Sequence, residues 1–393
     1  MKVCYDTFGC RLNRAEALED EARLSAAGHV TVKTHAEADI IVIRGCSVTA
    51  RAQRDCEREI ARLRGKYPGK RLVVAGCLPK ALLTPDSLAG IDRTAPAPIP
   101  MSTARAYLKV QDGCSCKCTF CTVPRFRGAP RSVDFTEALE RAAAFAEAGY
   151  TEIVVTGCNL MQYSSQGKSI ADLAAALGKV SPSCRIRMGS VEPGEMAKDV
   201  VEAMAENERL CRFLHLSVQS GSTRILMAMG RKYRAKDVEE LAALATERMP
   251  EIALGADMVC GFPGETDFDH IASVRLMANL PFSNVHAFPY SERPGTAATK
   301  YPDPVPPAMR KLRARQISKL MGEKREKFAA GMAGQVVEAV IEDERNCAGW
   351  TGGHFWIKPV RGDKTGAKRR ELVRFRVKRA QGDILEGAVI DGG

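Results

Sequence analysis

The sequence predicts an α/β protein in three parts: an N-terminal parallel α/β domain, a central partial (β/α)6 barrel and a small C-terminal β-barrel. Three observations predict it. The first hundred residues alternate short apolar runs with helical patterns. A proline-rich connector then leads into six strand-like runs, most followed by a helical pattern, over about 190 residues, too few for a full eight-stranded barrel. The last 60 or so residues read as short strands broken by glycine. With 393 residues, 45% hydrophobic and 27% charged, the chain is long enough for two or three domains and apolar enough to bury their cores.

In the first part, placed at 1–92, KVCYDTF, ADIIVIRG and KRLVVAG are strands, and RAEALEDEARLSAAG and RAQRDCEREIARLRGKY are the helices between them. Strands joined through helices run parallel, so their C-terminal ends share the edge where such sheets hold ligands. Cys10, Cys46 and Cys77 each stand at the end of such a strand, so they can converge on one object despite lying far apart in sequence. Taken singly, each is an ordinary buried thiol. Residues 90–104 carry prolines at alternating positions, which blocks helix and central strand and predicts a stiff extended connector.

The second part, 104–327, has strands in AYLKVQD, EIVVTG, RIRMGSV, FLHLSVQ, ALGADMVCGF and SNVHAFPYS. Helical patterns lie among them in TEALERAAAFAEAG, GEMAKDVVEAMAEN, KDVEELAALATE and FDHIASVRLMANL. After YPDPVPP comes a basic amphipathic helix, AMRKLRARQISKLMGEKREKFAAG, ending near Gly331. In the third part, 328–393, the strands are QVVEAVIE, GHFWIKPV, ELVRFRVKRA and ILEGAVI. Arg374, Arg376 and Lys378 alternate along one of them and project from one face, opposite Phe375 and Val377. A one-sided basic ribbon suits phosphates, although most charge runs are simply solvated faces.

Fifty-eight Lys and Arg against 47 Asp and Glu give a formal charge of +11, which favours a polyanionic partner, nucleic acid first. The N-terminus lacks a basic start followed by a long apolar run, and no apolar stretch is long enough to span a membrane, so a cytoplasmic location is expected. There thiols stay reduced, and a tight cysteine cluster points to metal rather than disulfides. The tightest lies in GCSCKCTFC after the first barrel strand, where Cys114, Cys118 and Cys121 are spaced C-x3-C-x2-C. Three thiolates can hold three irons of a cubane and leave the fourth open to a small molecule. A zinc ribbon is the plainer alternative, but only Cys118 and Cys121 form the C-x2-C pair zinc favours.

That loop, with Phe120 in its aromatic slot, resembles the radical S-adenosylmethionine superfamily. The words FGCRLN, RGCSVT, VAGCLPK, LKVQDGC, CTFCTVPRFRGAPRS, IVVTGCN, LHLSVQSGS, GFPGET and PYSERPGT resemble the methylthiotransferases within it, in order and over nearly the whole chain. The tail is similar to that family's TRAM domain. The resemblance implies two 4Fe-4S clusters, on Cys114, Cys118 and Cys121 and on Cys10, Cys46 and Cys77. It implies two S-adenosylmethionine molecules per turnover, one methylating sulfur on the second cluster and one yielding the radical that removes hydrogen from carbon 2 of an adenine. Such a C–H bond is beyond a side-chain base, so the cofactor supplies the hard step and the protein supplies position. The implied partners are tRNA and an electron donor such as a flavodoxin-type reductant, with the chain acting as a monomer.

In a barrel, ligands meet the C-terminal ends of strands. Gly157, Asn159, Ser190, Glu192, Gln219 and Ser220 stand there and are candidates to touch cofactor or substrate, against plainer roles as caps and turns. Gly261 and Gly264 allow either close approach to the adenine or a turn, His215 reads as an interior histidine, and Cys158 faces the expected pocket. The chain departs from the family text at Arg44-Gly45, where Asn-Thr is usual, at Ser217, where proline is usual, and in a short stretch from Cys77 to Cys114. The VQDGC and CTVPRFRG words and compact tail most resemble the branch acting on N6-threonylcarbamoyladenosine beside the tRNA anticodon. Isopentenyladenosine in tRNA and a ribosomal-protein aspartate are the alternative substrates, and a non-catalytic iron-sulfur RNA-binding protein is the alternative of another class.

Overall fold

The computed structural model describes residues 1–84, 98–361, 363 and 366–390. The chain opens with β1 (Lys2–Thr7), α1 (Arg11–Ala26), β2 (Val30–Thr31), β3 (Ile40–Cys46), α2 (Ala50–Lys66) and β4 (Arg71–Cys77). The four strands pair in parallel in the order β2-β1-β3-β4. Alternate residues of β3 face opposite sides. Ile40 and Val42 pack with Val3, Leu24 and Val73, while Ile41 and Ile43 pack with Cys56, Ile60 and Leu63 of α2. Arg44 interrupts this apolar run. It is buried because α1 supplies Glu16, 2.8 Å away, and Asp20 as partners, which accounts for a cation where the family text has Asn. Most of the proline-rich connector lies outside the described residues, but the carbonyls of Pro98 and Pro100 accept hydrogen bonds from Arg141 and Tyr150.

The central part runs β5 (Ala106–Lys109), β6 (Gln111–Asp112), α3 (Val123–Arg127), β7 (Arg131–Ser132), α4 (Phe135–Glu147), β8 (Glu152–Thr156), α5 (Ile170–Leu177), β9 (Arg185–Arg187) and α6 (Glu195–Ala205). It continues with β10 (Phe213–Gln219), α7 (Thr223–Ala228), α8 (Ala235–Arg248), β11 (Ala253–Cys260), α9 (Asp267–Asn279), β12 (Phe282–Pro289) and α10 (Pro307–Gly331). Two parallel sheets, β5-β8-β9 and β10-β11-β12, are joined by parallel bridges from Ile186 to Leu210 and from Val191 to Leu216. β5 and β12 are not paired, so six strands make an open barrel, as the six strand-like segments predict. α5 is absent from the sequence reading, although Ser169 and Asp172 form a reciprocal capping box at its start.

The tail closes into a five-stranded barrel ordered β13-β14-β15-β17-β16: β13 (Val336–Asp343), β14 (Ala348–Thr351), β15 (Trp356–Pro359), β16 (Leu372–Gln381) and β17 (Ile384–Ile390). The four predicted strands are present. The fifth, β14, is a four-residue AGWT segment too short to carry an alternation signal. Buried arginines join this barrel to the central one: Arg185 donates to the carbonyls of Glu338 and Trp350, and Arg187 to those of Thr351 and Gly352. Among the described residues no helix is long and apolar enough to cross a membrane.

Candidate iron-sulfur and cofactor site

The parallel register that sets Gly45 beside Gly76 also sets Cys46 beside Cys77 at one edge of the N-terminal sheet. Cys10 joins them from the turn after β1, at the N-cap of α1, where its side chain makes no capping bond. Gly9 makes the approach possible. Its φ is +97°, and a Cβ there would stand 2.6 Å from that of Cys46. Burial first, and then the neighbouring Cys10 and Cys77 thiols, push Cys46 up to about 11. A bound cation would reverse that penalty.

Cys114, Cys118 and Cys121 lie on the loop between β6 and α3. The loop is anchored by Thr119, whose amide donates to Met229 and whose hydroxyl donates to Ala228. Phe120 packs with Ile225, Met229, Phe262 and Tyr290, and the Arg231 guanidinium lies 5.6 Å from its ring centroid. Burial pushes Cys118 up to about 11 despite Arg231, with Cys121 and Cys114 adding to the rise. Cys116 shares the same pocket, since the Asn159 amide reaches the sulfurs of both Cys114 and Cys116. Its sulfur accepts from Asn159 and Gln162, each at 3.4 Å, and faces Glu192.

The two trios adjoin. Cys77 contributes to raising Cys121, after burial and Cys114. Arg127 spans the gap: its Nε donates to Cys77 Sγ at 2.8 Å, and its other nitrogens reach Glu16 and Asn13 at 2.8 Å and Asp112 at 3.1 Å. Cys158 sits beside this network, with its thiol 3.4 Å from Asp112. Burial alone would raise Glu16, but Arg127, Lys109 and Arg44 override it and hold the carboxyl at about 2, against an ordinary 4.5. A depressed carboxyl stabilises the fold above its ordinary value and loses that contribution as pH falls toward the folded one. Glu16→Gln is therefore expected to lower the melting temperature at neutral pH. Its thermal melts should also fall less than those of the parent chain between about pH 5 and pH 3; equal slopes would contradict the pairing.

Of the other predicted residues, Asn159 takes both the plain and the functional position. It caps the turn at Met161, and its amide donates to Glu192 at 3.1 Å. Glu192 also pairs with Arg231 at 3.3 Å. Gly157 packs against Gln111, where a Cβ would come within 2.9 Å. Ser190 lies 3.1 Å from Nδ1 of the buried His215. Gln219 ends β10 with φ +66°, a strained conformation for a residue with a side chain. Ser220 is taken up locally, accepting from the Ser222 amide. Gly261 serves a turn packed on α10, where a Cβ would meet Arg310 at 2.4 Å, and Gly264 faces open space. Arg374, Arg376 and Lys378 are exposed on β16, while Phe375 and Val377 fill the barrel interior.

Arg127, Glu16 and Arg231 went unassigned in the sequence. Arg127 lies in the PRFRG word, but its partners Asn13 and Glu16 stand more than a hundred residues earlier.

The chemistry of the donor sets separates one ion from a cluster. A tetrahedral zinc with sulfur at about 2.3 Å draws its ligands to within roughly 4 Å of one another. Among the described residues only Asp6, His35 and Glu59 bring three donor atoms within 4.8 Å of one another. Neither cysteine trio has all three sulfurs that close, so neither is set for a single tetrahedral zinc.

The radical SAM superfamily profile matches residues 108–277, and that of the uncharacterized protein family UPF0004 matches residues 2–89. A tRNA-2-methylthio-N(6)-dimethylallyladenosine synthase of Cereibacter sphaeroides is 30% identical over 98% of each chain. The threonylcarbamoyladenosine tRNA methylthiotransferase MtaB of Aquifex aeolicus is 29% identical over 88% of this chain and 93% of its own, and that of Thermotoga maritima is 32% identical over 79% and 80%. A solved radical S-adenosylmethionine methyltransferase from Kitasatospora setae shares the fold at a TM-score of 0.52 and 13% identity, over 74% of each chain.

Proposed function

The chain belongs to the radical S-adenosylmethionine tRNA methylthiotransferase family, and on that premise we propose that it places a methylthio group on carbon 2 of N6-threonylcarbamoyladenosine beside the tRNA anticodon. Enzymes of this family use S-adenosylmethionine and 4Fe-4S clusters, which when bound supply the radical and the sulfur. The observation that carries the reading is the convergence of two cysteine trios, Cys10, Cys46 and Cys77 with Cys114, Cys118 and Cys121, on one place spanned by Arg127.

In this reading each trio holds one cluster and leaves one corner for the reacting molecule. Asn159, Glu192 and Arg231 orient S-adenosylmethionine at the second trio, with a carboxylate suited to amine or ribose hydroxyl groups. Arg127 holds the N-terminal sheet edge against the barrel, so a base between the trios meets both in one geometry. Gly157, Ser190, Gln219 and Ser220 complete the strand ends around it. Electrons come from a flavodoxin-type donor, in the cytoplasm.

Arg374, Arg376 and Lys378 grip tRNA phosphates. Replacing all three by Gln should weaken tRNA binding and make the slope of log affinity against log salt shallower by roughly two, at about 0.7 per single-strand phosphate contact. An unchanged slope would move the RNA contact elsewhere.

The VQDGC and CTVPRFRG words favour the threonylcarbamoyl substrate, and the Cereibacter sphaeroides relative favours the isopentenyl one. Mass spectrometry of nucleosides after incubation with tRNA carrying either base decides. The methylthio mass should appear on threonylcarbamoyladenosine; its appearance on isopentenyladenosine alone would replace this reading with the second.

A further inference from the structure

Arg11 follows Cys10 directly and is the first residue of α1. A side chain there could lie in solvent, but α1 packs on β5 and β8, and this side chain is half-buried against the barrel. Its guanidinium is within electrostatic range of Arg105, Tyr107, Glu152 and Arg187. It also acts on His215, Asp257 and His286. Those residues belong to, or directly precede, all six barrel strands, and only a point inside the barrel lies near every one of them.

Among the described residues the Arg11 guanidinium has no hydrogen-bond or ion-pair partner. The nearby carboxylates are committed or out of reach. Glu152 is shared by Arg187 at 2.8 Å, Arg185 at 2.6 Å and Arg105 at 3.7 Å. Asp257 lies 3.7 Å from His215 and makes no ion pair with Arg11. A half-buried guanidinium without a bonded partner is free to pair with an incoming anion. The open side of the lumen gives access, since β12 exposes His286 and Phe288 there.

We infer that Arg11 receives the carboxylate of the substrate's N6 substituent and thereby selects the threonylcarbamoyl base. This rests on the function proposed above. The chemistry is that of a planar fork meeting a carboxylate in two parallel hydrogen bonds. The placement follows from the purine, in which N1 lies between C2 and C6, the carbon that bears N6. A base that presents C2 to the trio containing Cys10 therefore carries its N6 group toward the residues beside that trio. An apolar isopentenyl group would leave the guanidinium unpaired, which rejects it.

The test measures equilibrium binding of anticodon stem-loops to the full cluster-loaded chain. The loops carry threonylcarbamoyladenosine, its methyl ester or plain adenosine at the same position. The parent chain should prefer the free acid by roughly ten- to a hundredfold, the range for a hydrogen-bonded charge pair. The ester should lose that preference. Arg11→Gln should bind all three loops alike, with its affinity for the plain loop unchanged, which also reports an intact fold. Arg11→Lys, which keeps charge without the fork, should retain part of the preference and serves in place of Arg11→Gln if that variant does not fold. Equal weakening toward all three loops would mean that Arg11 contacts a backbone phosphate and would overturn the inference. Full preference kept by both variants would also overturn it while leaving the proposed substrate intact. No preference in the parent chain would remove both.

Discussion

Replacing Cys10, Cys46 and Cys77 together by alanine is expected to abolish methylthio transfer while reductive cleavage of S-adenosylmethionine to 5′-deoxyadenosine stays measurable. The separation follows from where each trio is held. The first sits on the edge of the N-terminal sheet and depends on the register of β3 with β4 and on the turn at Gly9. The second sits on a loop anchored to Met229 and Ala228 by Thr119, with no backbone bond to that sheet edge among the described residues. Iron should fall from about eight per chain to about four on the two-cubane count. Retained transfer would contradict the assignment of these three residues. A parent chain that never yields 5′-deoxyadenosine would instead favour clusters acting as structural clips in a non-catalytic RNA-binding protein.

The second large effect is on stability. Glu152 is fully buried and bonded by Arg185 and Arg187, with Arg105 close by. Burial alone would raise its carboxyl, but Arg187 and Arg185 hold it far below the usual carboxylate range. Glu152→Gln keeps the shape and removes the charge, leaving buried guanidiniums uncompensated. Breaking such a pair from one side costs about 3–5 kcal/mol. The same arginines hold the carbonyls of Glu338, Trp350, Thr351 and Gly352, so the C-terminal barrel should loosen as well. Thermal melts should show the drop, and limited proteolysis should cut first between the central and C-terminal barrels. A variant as stable and as protease-resistant as the parent would show that the network contributes nothing net.

The architecture was legible where the chain repeats one physical rule. Apolar runs alternating with helical periodicity gave the parallel sheet, and the six strand-like segments with their intervening helices gave the open barrel. Alternation along β16 correctly placed Phe375 and Val377 inside and Arg374, Arg376 and Lys378 outside. Short elements escaped because a few residues carry little period: β14 has four, and α5 is visible mainly through its capping box. The convergence of the cysteines could be argued from strand ends, but not the charges that frame them. Arg127, Glu16 and Arg44 have meaning only through partners distant in sequence, and Arg11 only through the six strands around it. Gly261 shows the converse, since a glycine open to a ligand role packs against Arg310.

The central claim is that the two trios hold clusters facing one shared space. Electron paramagnetic resonance on the fully reduced, oxygen-free protein tests it directly, alongside the two variants that each lack one trio. Spin–spin broadening in the parent chain, absent from both variants, is the predicted result. A parent spectrum equal to the sum of the two variant spectra would show two centres without mutual contact and would contradict the account.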